Sequence, residues 1–402
     1  MYWSPRASLL PLLVLLASCA SSRTPPPRAI VATPRAVRPA APPTPPQPPA
    51  PPTPLTGFAA LPGWRADTLS DALPAWRRTC ERLLRAPDDR PIGPDGLLGA
   101  ASDWKPACRA IPTPEADSDE ARAYFEHWFT PVPVRAGDND RGLFTGYYEP
   151  ELHGSRTRSR RFNTPLYARP SDLVSSGSHN VGRRVRGRLR PYWTRAQIAA
   201  GAVRRTARPL LWVDDAIDAF FLEIQGSGRV VLEDGSVVQI NFDVSNGHPY
   251  VALGRVLIDR GALQRGSVSL QSIRAWLAAH PAEAQAVMNR NPSYVFFHES
   301  TQGATGAEGV VLTAGRSMAV DTRFVPLGTP LFLDIEALEG VGVIQRLVVA
   351  QDTGGAIRGT VRGDLFWGAG PDAYDRAGRM QHHGRYWMLL PQRIADRMHL
   401  PQ

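Results

Sequence analysis

Two aspartates near the C-terminal end stand where a carboxyl group could do acid–base chemistry. Asp352 follows the apolar run Leu347-Val348-Val349-Ala350 and opens the segment Asp352-Thr353-Gly354-Gly355-Ala356-Ile357-Arg358-Gly359. Two glycines at a strand end permit a tight turn or the close approach of a ligand to the backbone. Twelve residues on, Asp364 lies in Arg362-Gly363-Asp364-Leu365-Phe366-Trp367-Gly368, beside three large apolar side chains. Partial desolvation by such neighbours raises a carboxyl pKa, so the group can hold a proton near neutral pH and act as a general acid. An aspartate also commonly bonds loop amides in turns, and composition alone gives the two roles equal weight.

Other chemistries find less support. His382 and His383 are adjacent and do not readily face one ion. His298-Glu299 lacks a second histidine four residues on, and no Cys-x-x-Cys pair occurs, so no metal site is expected. Gly226-Ser227-Gly228 is neither a nucleophile elbow nor a dinucleotide loop and reads as a turn between two strands. No cofactor is expected.

These residues need an exported, folded scaffold. Arg6, an apolar run from Ala7 to Leu16 and small residues before Cys19 describe a secretory signal over residues 1–18. The run is too short to span a bilayer, which takes about 20 residues. Leu16-Ala17-Ser18-Cys19 resembles a bacterial lipobox, which implies lipidation of Cys19; the plainer alternative is an ordinary signal with an incidental cysteine. Ala20 follows, and by analogy with bacterial lipoproteins this implies an outer-membrane anchor facing the periplasm. Residues 19–56 follow as a linker, dominated from Arg23 to Leu55 by proline, alanine and threonine, a composition that favours extended polyproline II and suits a spacer, with a recognition ligand for a partner domain as the alternative. Two cysteines remain, Cys80 and Cys108. In an oxidising compartment they form one disulfide or stand as two unrelated buried thiols.

Of the 46 basic residues, five lie in the first 55, which hold no acid; the rest are nearly balanced by 37 acidic residues. That excludes the footprint of a nucleic-acid binder. A mild positive charge suits an anionic polymer such as cell-wall glycan with its peptide carboxylates. A 43% hydrophobic content suffices for a substantial core. From about Gly57, short β-like runs dominate: Leu211 to Val213, Phe220 to Ile224, Arg229 to Leu232, Val237 to Phe242, Val295 to Phe297, Leu331 to Leu333 and Ile344 to Ala350. Glu233-Asp234-Gly235 reads as a hairpin turn. Thr194 with Gln197 fits a capping box, Ser269 to His280 has helical spacing, and Pro281 opens a further helix ending near Asn289. The pattern predicts a mainly β protein of about two units. Nothing in it calls for an obligate oligomer, and a monomer is expected.

Longer motifs carry a resemblance. They comprise residues 144–150 (Phe-Thr-Gly-Tyr-Tyr-Glu-Pro), 221–228 (Phe-Leu-Glu-Ile-Gln-Gly-Ser-Gly), 246–250 (Asn-Gly-His-Pro-Tyr) and 291–297 (Asn-Pro-Ser-Tyr-Val-Phe-Phe). To these add Ala319-Val320-Asp321, Pro326 to Pro330, and the segments around Asp352 and Asp364. Over residues 143–390 the chain resembles the membrane-bound lytic murein transglycosylase A family with its C-terminal three-aspartate (3D) domain. The resemblance implies a double-psi β-barrel domain from residues 57–153 and 299–402. A β-rich domain over 154–298 is inserted in it, with a groove between the two. It implies cleavage of the β-1,4 bond between N-acetylmuramic acid and N-acetylglucosamine in peptidoglycan glycan strands, leaving a 1,6-anhydromuramic end.

Carried onto this sequence, the three aspartates are Asp321, Asp352 and Asp364. Asp364 matches the catalytic acid, Asp352 a carboxylate that orients loop amides or shapes the acid's pKa, and Asp321 a structural residue. Thr353, Gly354 and Gly355 fall where the catalytic loop meets sugar. Gln225, Gly226 and Ser227 fall on the groove wall of the insertion, and Tyr147 and Tyr148 on the barrel side. With Trp367, the two tyrosines are candidates for stacking on sugar faces; for each, burial in the core is the alternative. Two rival functions remain. One is a hydrolase on the same scaffold, which needs a second working carboxylate from Asp352, Glu149 or Asp334. The other is a non-catalytic peptidoglycan-binding lipoprotein of the outer membrane.

Overall fold

The computed structural model describes residues 57–176 and 180–399. The chain enters through three helices, α1 (Leu73–Arg85), α2 (Ala101–Arg109) and α3 (Ser118–Trp128), and then strands β1 (Phe129–Pro133), β2 (Gly142–Glu149) and β3 (Glu151–Ser155). Next come β4 (Thr164–Tyr167), β5 (Leu173–Ser176), β6 (Asn180–Val185), β7 (Arg188–Arg190), α4 (Arg195–Ala199), β8 (Pro209–Val213), α5 (Ala216–Gln225), β9 (Ser227–Leu232) and β10 (Val237–Ser245). Helices α6 (Leu253–Asp259), α7 (Leu270–Ala279) and α8 (Pro281–Met288) lead to β11 (Val295–Ser300). The chain ends with β12 (Ser317–Val320), β13 (Pro330–Leu338), β14 (Gly342–Asp352), β15 (Arg362–Ala369), α9 (Pro371–Arg379), β16 (Gln381–Pro391) and α10 (Gln392–His399).

The fold is mainly β: a double-psi β-barrel domain, an inserted β-rich domain, and a groove between them. The barrel follows the order β16-β13-β14-β12-β15-β2 and closes through the β16–β2 pairing, with β1 added outside β16. Closure leaves no open edge among these six strands. Its core includes Phe144, Met318, Leu347, Leu365 and Tyr386 and runs on into α1 to α3, where Trp76, Trp104 and Phe125 are fully buried. A disulfide between Cys80 and Cys108 joins α1 to α2. The insert is built on a second sheet, β11-β10-β9-β3-β8-β4, curled so that Ala168 after β4 bridges Phe297 of β11.

The short runs form strands where expected, and Gly235 turns the β9–β10 hairpin with φ of 82°. The Thr194–Gln197 capping box opens α4, and Ser269 caps α7. One expected strand is instead a helix: Phe220 to Ile224 lies in α5. The Asp215 carboxylate accepts the Ile217 N–H at 2.6 Å and starts it, and left-handed Gly226 (φ 83°) ends it. Ala219 and Leu222 pack on the insert sheet, while Phe220 and Phe221 pack on α6 to α8. A helix buried on two sides has a continuous apolar run, which a buried strand also has. Gly226-Ser227-Gly228 is accordingly a helix cap followed by the start of β9, not a turn between two strands.

Candidate functional site

The two aspartates meet through β12. Ala319 is the register partner of Asp364 on β15 and of Asp352 on β14, so the carboxylates share a face two strands apart, about 10 Å between backbones. Alanine between them raises no bulky side chain. Strand alternation sends Leu365 and Trp367 into the barrel core, while Phe366 joins Tyr147, Ala319, Ile357, Leu312 and Ala304 in a separate apolar patch on the aspartates' side.

Asp364 is half-buried, and its two oxygens differ. Oδ1 accepts a 2.7 Å hydrogen bond from Thr145 Oγ1, whose strand runs parallel to β15 in register with it. Arg362 Nη2 donates to the same Thr145 oxygen at 2.8 Å, and Nη1 is tied to the carbonyls of Leu143 and Gly363. Among the described residues nothing donates to Oδ2. Burial pushes the Asp364 pKa up, and the Arg362 charge and the Thr145 hydroxyl pull it part of the way back. The result is a fixed carboxyl with one free oxygen, able to keep a proton above the usual carboxylate range. Thr145→Val removes a bond that favours the ionised form, so the Asp364 pKa rises. With Asp364 as a general acid, the alkaline limb of the pH–rate profile is expected to move to higher pH in the variant, kcat to fall about ten-fold or more as the carboxyl loses its fixed orientation, and Thr145→Ser to restore both. An unmoved alkaline limb would refute the coupling.

Asp352 is held differently. Oδ1 accepts the N–H groups of Ala307 and Thr353, each at 2.9 Å, and Oδ2 accepts the Tyr147 hydroxyl at 2.9 Å. Burial raises its pKa to about 6 against those three donors, and the Asp364 charge adds to the rise. Asp352 thus ties β2, the 301–315 segment and the glycine loop into one frame. In that loop Thr353 Oγ1 donates to Val320 O at 2.8 Å. Gly354 and Gly355 follow, and a Cβ placed on Gly355 would lie 3.6 Å from Tyr250 Cβ. Tyr250 comes from the insert; burial raises its pKa, and the Asp364 charge contributes to the rise.

The remaining expected residues are placed as follows. Tyr147 is buried with its hydroxyl on Asp352, and the Tyr148 ring packs in the barrel core against Tyr374, so neither shows an open face to a sugar. The Tyr148 N–H donates to Gln225 Oε1 at 3.1 Å, which joins α5 of the insert to the barrel. Gly226 accepts the Phe242 N–H at 2.7 Å, beside a Phe242 ring that is 48% exposed; Ser227 is buried in the β9–β10 ladder. Trp367 is buried, with Nε1 3.4 Å from Met380 Sδ. Asp321 is buried; despite the upward pull of burial, the Arg323 guanidinium and the N–H of Gly359 hold its pKa below the ordinary range. It clamps a turn and takes no part in the carboxylate pair. Cys19 lies outside the described residues. Among them no cluster of three or more His, Cys, Asp or Glu side chains could hold a metal ion, and no helix is long and apolar enough to cross a membrane.

Thr145, Arg362, Ala307 and Tyr250 belong to the site and were missed as candidates. Thr145 and Arg362 act through their side chains but meet Asp364 only through the β2–β15 register, and Ala307 acts through its peptide N–H, so none gives a local signal of its role. Tyr250 stood in a matched motif, but a lone tyrosine beside proline gives no local reason to assign it a role.

Comparison with known proteins follows the same outline. The model of the MltA specific insert domain matches residues 143–298, and that of the 3D domain residues 316–390. Over 254 residues the chain is 37% identical to membrane-bound lytic murein transglycosylase A of Escherichia coli, covering 61% of this chain and 65% of that protein. The chain therefore spans about 65% of the length of the curated relatives it matches. The crystal structure of a membrane-bound lytic murein transglycosylase from Agrobacterium tumefaciens is similar at a TM-score of 0.78 and 32% identity, covering 85% of this chain and 98% of that one. Escherichia coli MltA with bound chitohexaose is similar at a TM-score of 0.64 and 28% identity, covering 85% and 94%.

Proposed function

Because the chain belongs to the membrane-bound lytic murein transglycosylase A family, we infer that it cleaves the glycan strands of peptidoglycan. The reaction is a lyase-type transglycosylation at the β-1,4 bond between N-acetylmuramic acid and N-acetylglucosamine. The observation that carries this reading is Asp364 itself: one oxygen fixed by Thr145, the other free, in a setting that favours the protonated form.

Asp364 gives its proton to the glycosidic oxygen as the bond to muramyl C1 breaks. Positive charge gathers on C1 in an oxocarbenium-like transition state. The muramyl C6 hydroxyl oxygen then bonds to C1, and its proton passes to the ionised Asp364. The carboxyl ends as it began, and no water is consumed. An intramolecular nucleophile needs no second carboxylate to activate it, and its effective concentration can reach about 10⁵ M or more.

A hydrolase needs that second carboxylate free. Asp352 is occupied by three donors, Glu149 is bound to Gln239, and Asp334 is bound to Gln345 and Arg385. A purely binding role gives no reason to fix and desolvate Asp364. The chitohexaose bound by a relative supports a glycan strand as the ligand of the groove. We divide the folded part into 57–153 with 299–402 as the barrel domain and 154–298 as the insert. The signal-like residues 1–18, the lipobox-like segment ending at Cys19 and the proline-rich spacer support a location at the periplasmic face of the outer membrane.

The test is to incubate the full chain with purified peptidoglycan and weigh the released muropeptides. Products one water lighter than reducing-end fragments are expected. Reducing ends would make the chain a hydrolase, and retained binding without products would make it a tether.

A further inference from the structure

The insert holds a cavity of about 720 Å³ that the acid–base chemistry does not use. It adjoins the carboxylate site: Gln225 and Tyr250 line it, and Gln381, the residue in register with Thr145, bounds it from the barrel. Its size is that of a small-ligand site. The walls are mostly apolar, from α5, α6 and α7, with Ile258 and Ile273 among them. Two cations, Arg255 and Arg265, and one carboxylate, Asp259, belong to the lining, which leaves it net positive. Arg255 is 84% exposed and stands 3.8 Å from Asp259, and Arg265 is exposed with no carboxylate paired to it among the described residues. The N-acetylated sugars of an intact murein strand carry no charge of their own and give the two arginines no partner. The match is to a ligand with small apolar side groups and free carboxylates.

The proposed substrate carries such a ligand. Each muramyl unit bears, through its lactyl ether, a short peptide with alanine methyl groups and free carboxylates. We propose that this cavity receives the peptide stem of a muramyl unit near the scissile bond, its methyl groups on the apolar walls and its carboxylates at Arg255 and Arg265. The proposal rests on the murein-cleaving reading and adds to it a preference for stem-bearing strands.

The full chain is assayed on two substrates, glycan strands with intact stems and the same strands stripped by an amidase. The expected kcat/KM is about ten-fold higher on stem-bearing strands, since two exposed ion contacts are each worth a few-fold. Arg255→Glu/Arg265→Glu is expected to bring the ratio near one by lowering only the stem-bearing value. Ala252→Trp, at an exposed lining position, narrows the cavity without changing charge and is expected to do the same, which separates seating of the peptide from long-range attraction. Equal kcat/KM on both strands, or an equal loss on both in the variants, overturns the peptide site and leaves strand cleavage standing. Failure of the unaltered chain to cleave either strand removes the murein reading and the site with it.

Discussion

Asp364→Asn is expected to abolish turnover while leaving the fold intact. The substitution keeps shape and volume, and the amide oxygen still accepts the Thr145 hydroxyl that now bonds Oδ1. What it removes is the proton. General acid–base catalysis contributes about 10²–10⁴-fold, and in the proposed reaction one carboxyl supplies both the acid and the base, so the loss is expected at the upper end of that range or beyond. The control is Asp352→Asn. Its oxygen keeps the N–H donors of Ala307 and Thr353, and the Tyr147 hydroxyl can accept from the new amide, so the frame survives and turnover falls by far less. Three measurements check the pair: kcat on purified peptidoglycan, thermal melting, and binding to insoluble sacculi. The Asp364 variant should melt and bind as the unaltered chain does and release nothing. Turnover within ten-fold of the unaltered chain would remove Asp364 from the chemistry, and a larger loss for Asp352→Asn would transfer the assignment.

The residues that carry charge were legible in the sequence because their neighbours are unusual: a carboxylate before two glycines, another beside Leu365, Phe366 and Trp367. The hairpin of β9 and β10 was legible because a polar turn with Gly235 separates two β-like runs. What was not legible arises from pairings far apart in the chain. Thr145 and Asp364 are 219 residues apart, and only the parallel β2–β15 register brings them together. The separate faces of Phe366 and Trp367 follow from alternation, but which face is core depends on where the barrel closes. Helix α5 was hidden by burial on both sides. Helix α1 did carry a signal, since Leu73, Trp76, Cys80 and Leu83 recur at helical spacing and are all buried.

Arg195→Met is expected to be the most destabilising single change in the insert, at about 3–5 kcal/mol near neutral pH. Arg195 grips both Glu223 oxygens, at 3.0 and 2.8 Å, and donates to the carbonyls of Asn291 and Ser293. Both side chains of the pair are buried. Glu223 sits on α5 two residues before Gln225, so the pair anchors the helix that contacts the barrel through the Tyr148 N–H. Without the guanidinium, Glu223 keeps only the Val295 N–H, at 3.0 Å. Burial already holds the Glu223 pKa above its ordinary value against the pull of Arg195, and removing Arg195 pushes it higher. A carboxyl that binds its proton more tightly when folded favours folding at low pH, and that contribution is lost as pH rises through the folded-state value. The variant should therefore be least impaired in acid. Between the folded-state Glu223 pKa of the unaltered chain and the higher one of the variant, the deficit should shrink by about 1.4 kcal/mol for each pH unit lowered. Urea midpoints of both chains at pH 5 and pH 7.5 measure this, and the double variant Arg195→Met/Glu223→Leu should recover much of the loss at pH 7.5 with little dependence on pH. A cost that is the same at both pH values, or a double variant no more stable than the single, would show that the lost carbonyl partners and not the stranded carboxylate set the penalty.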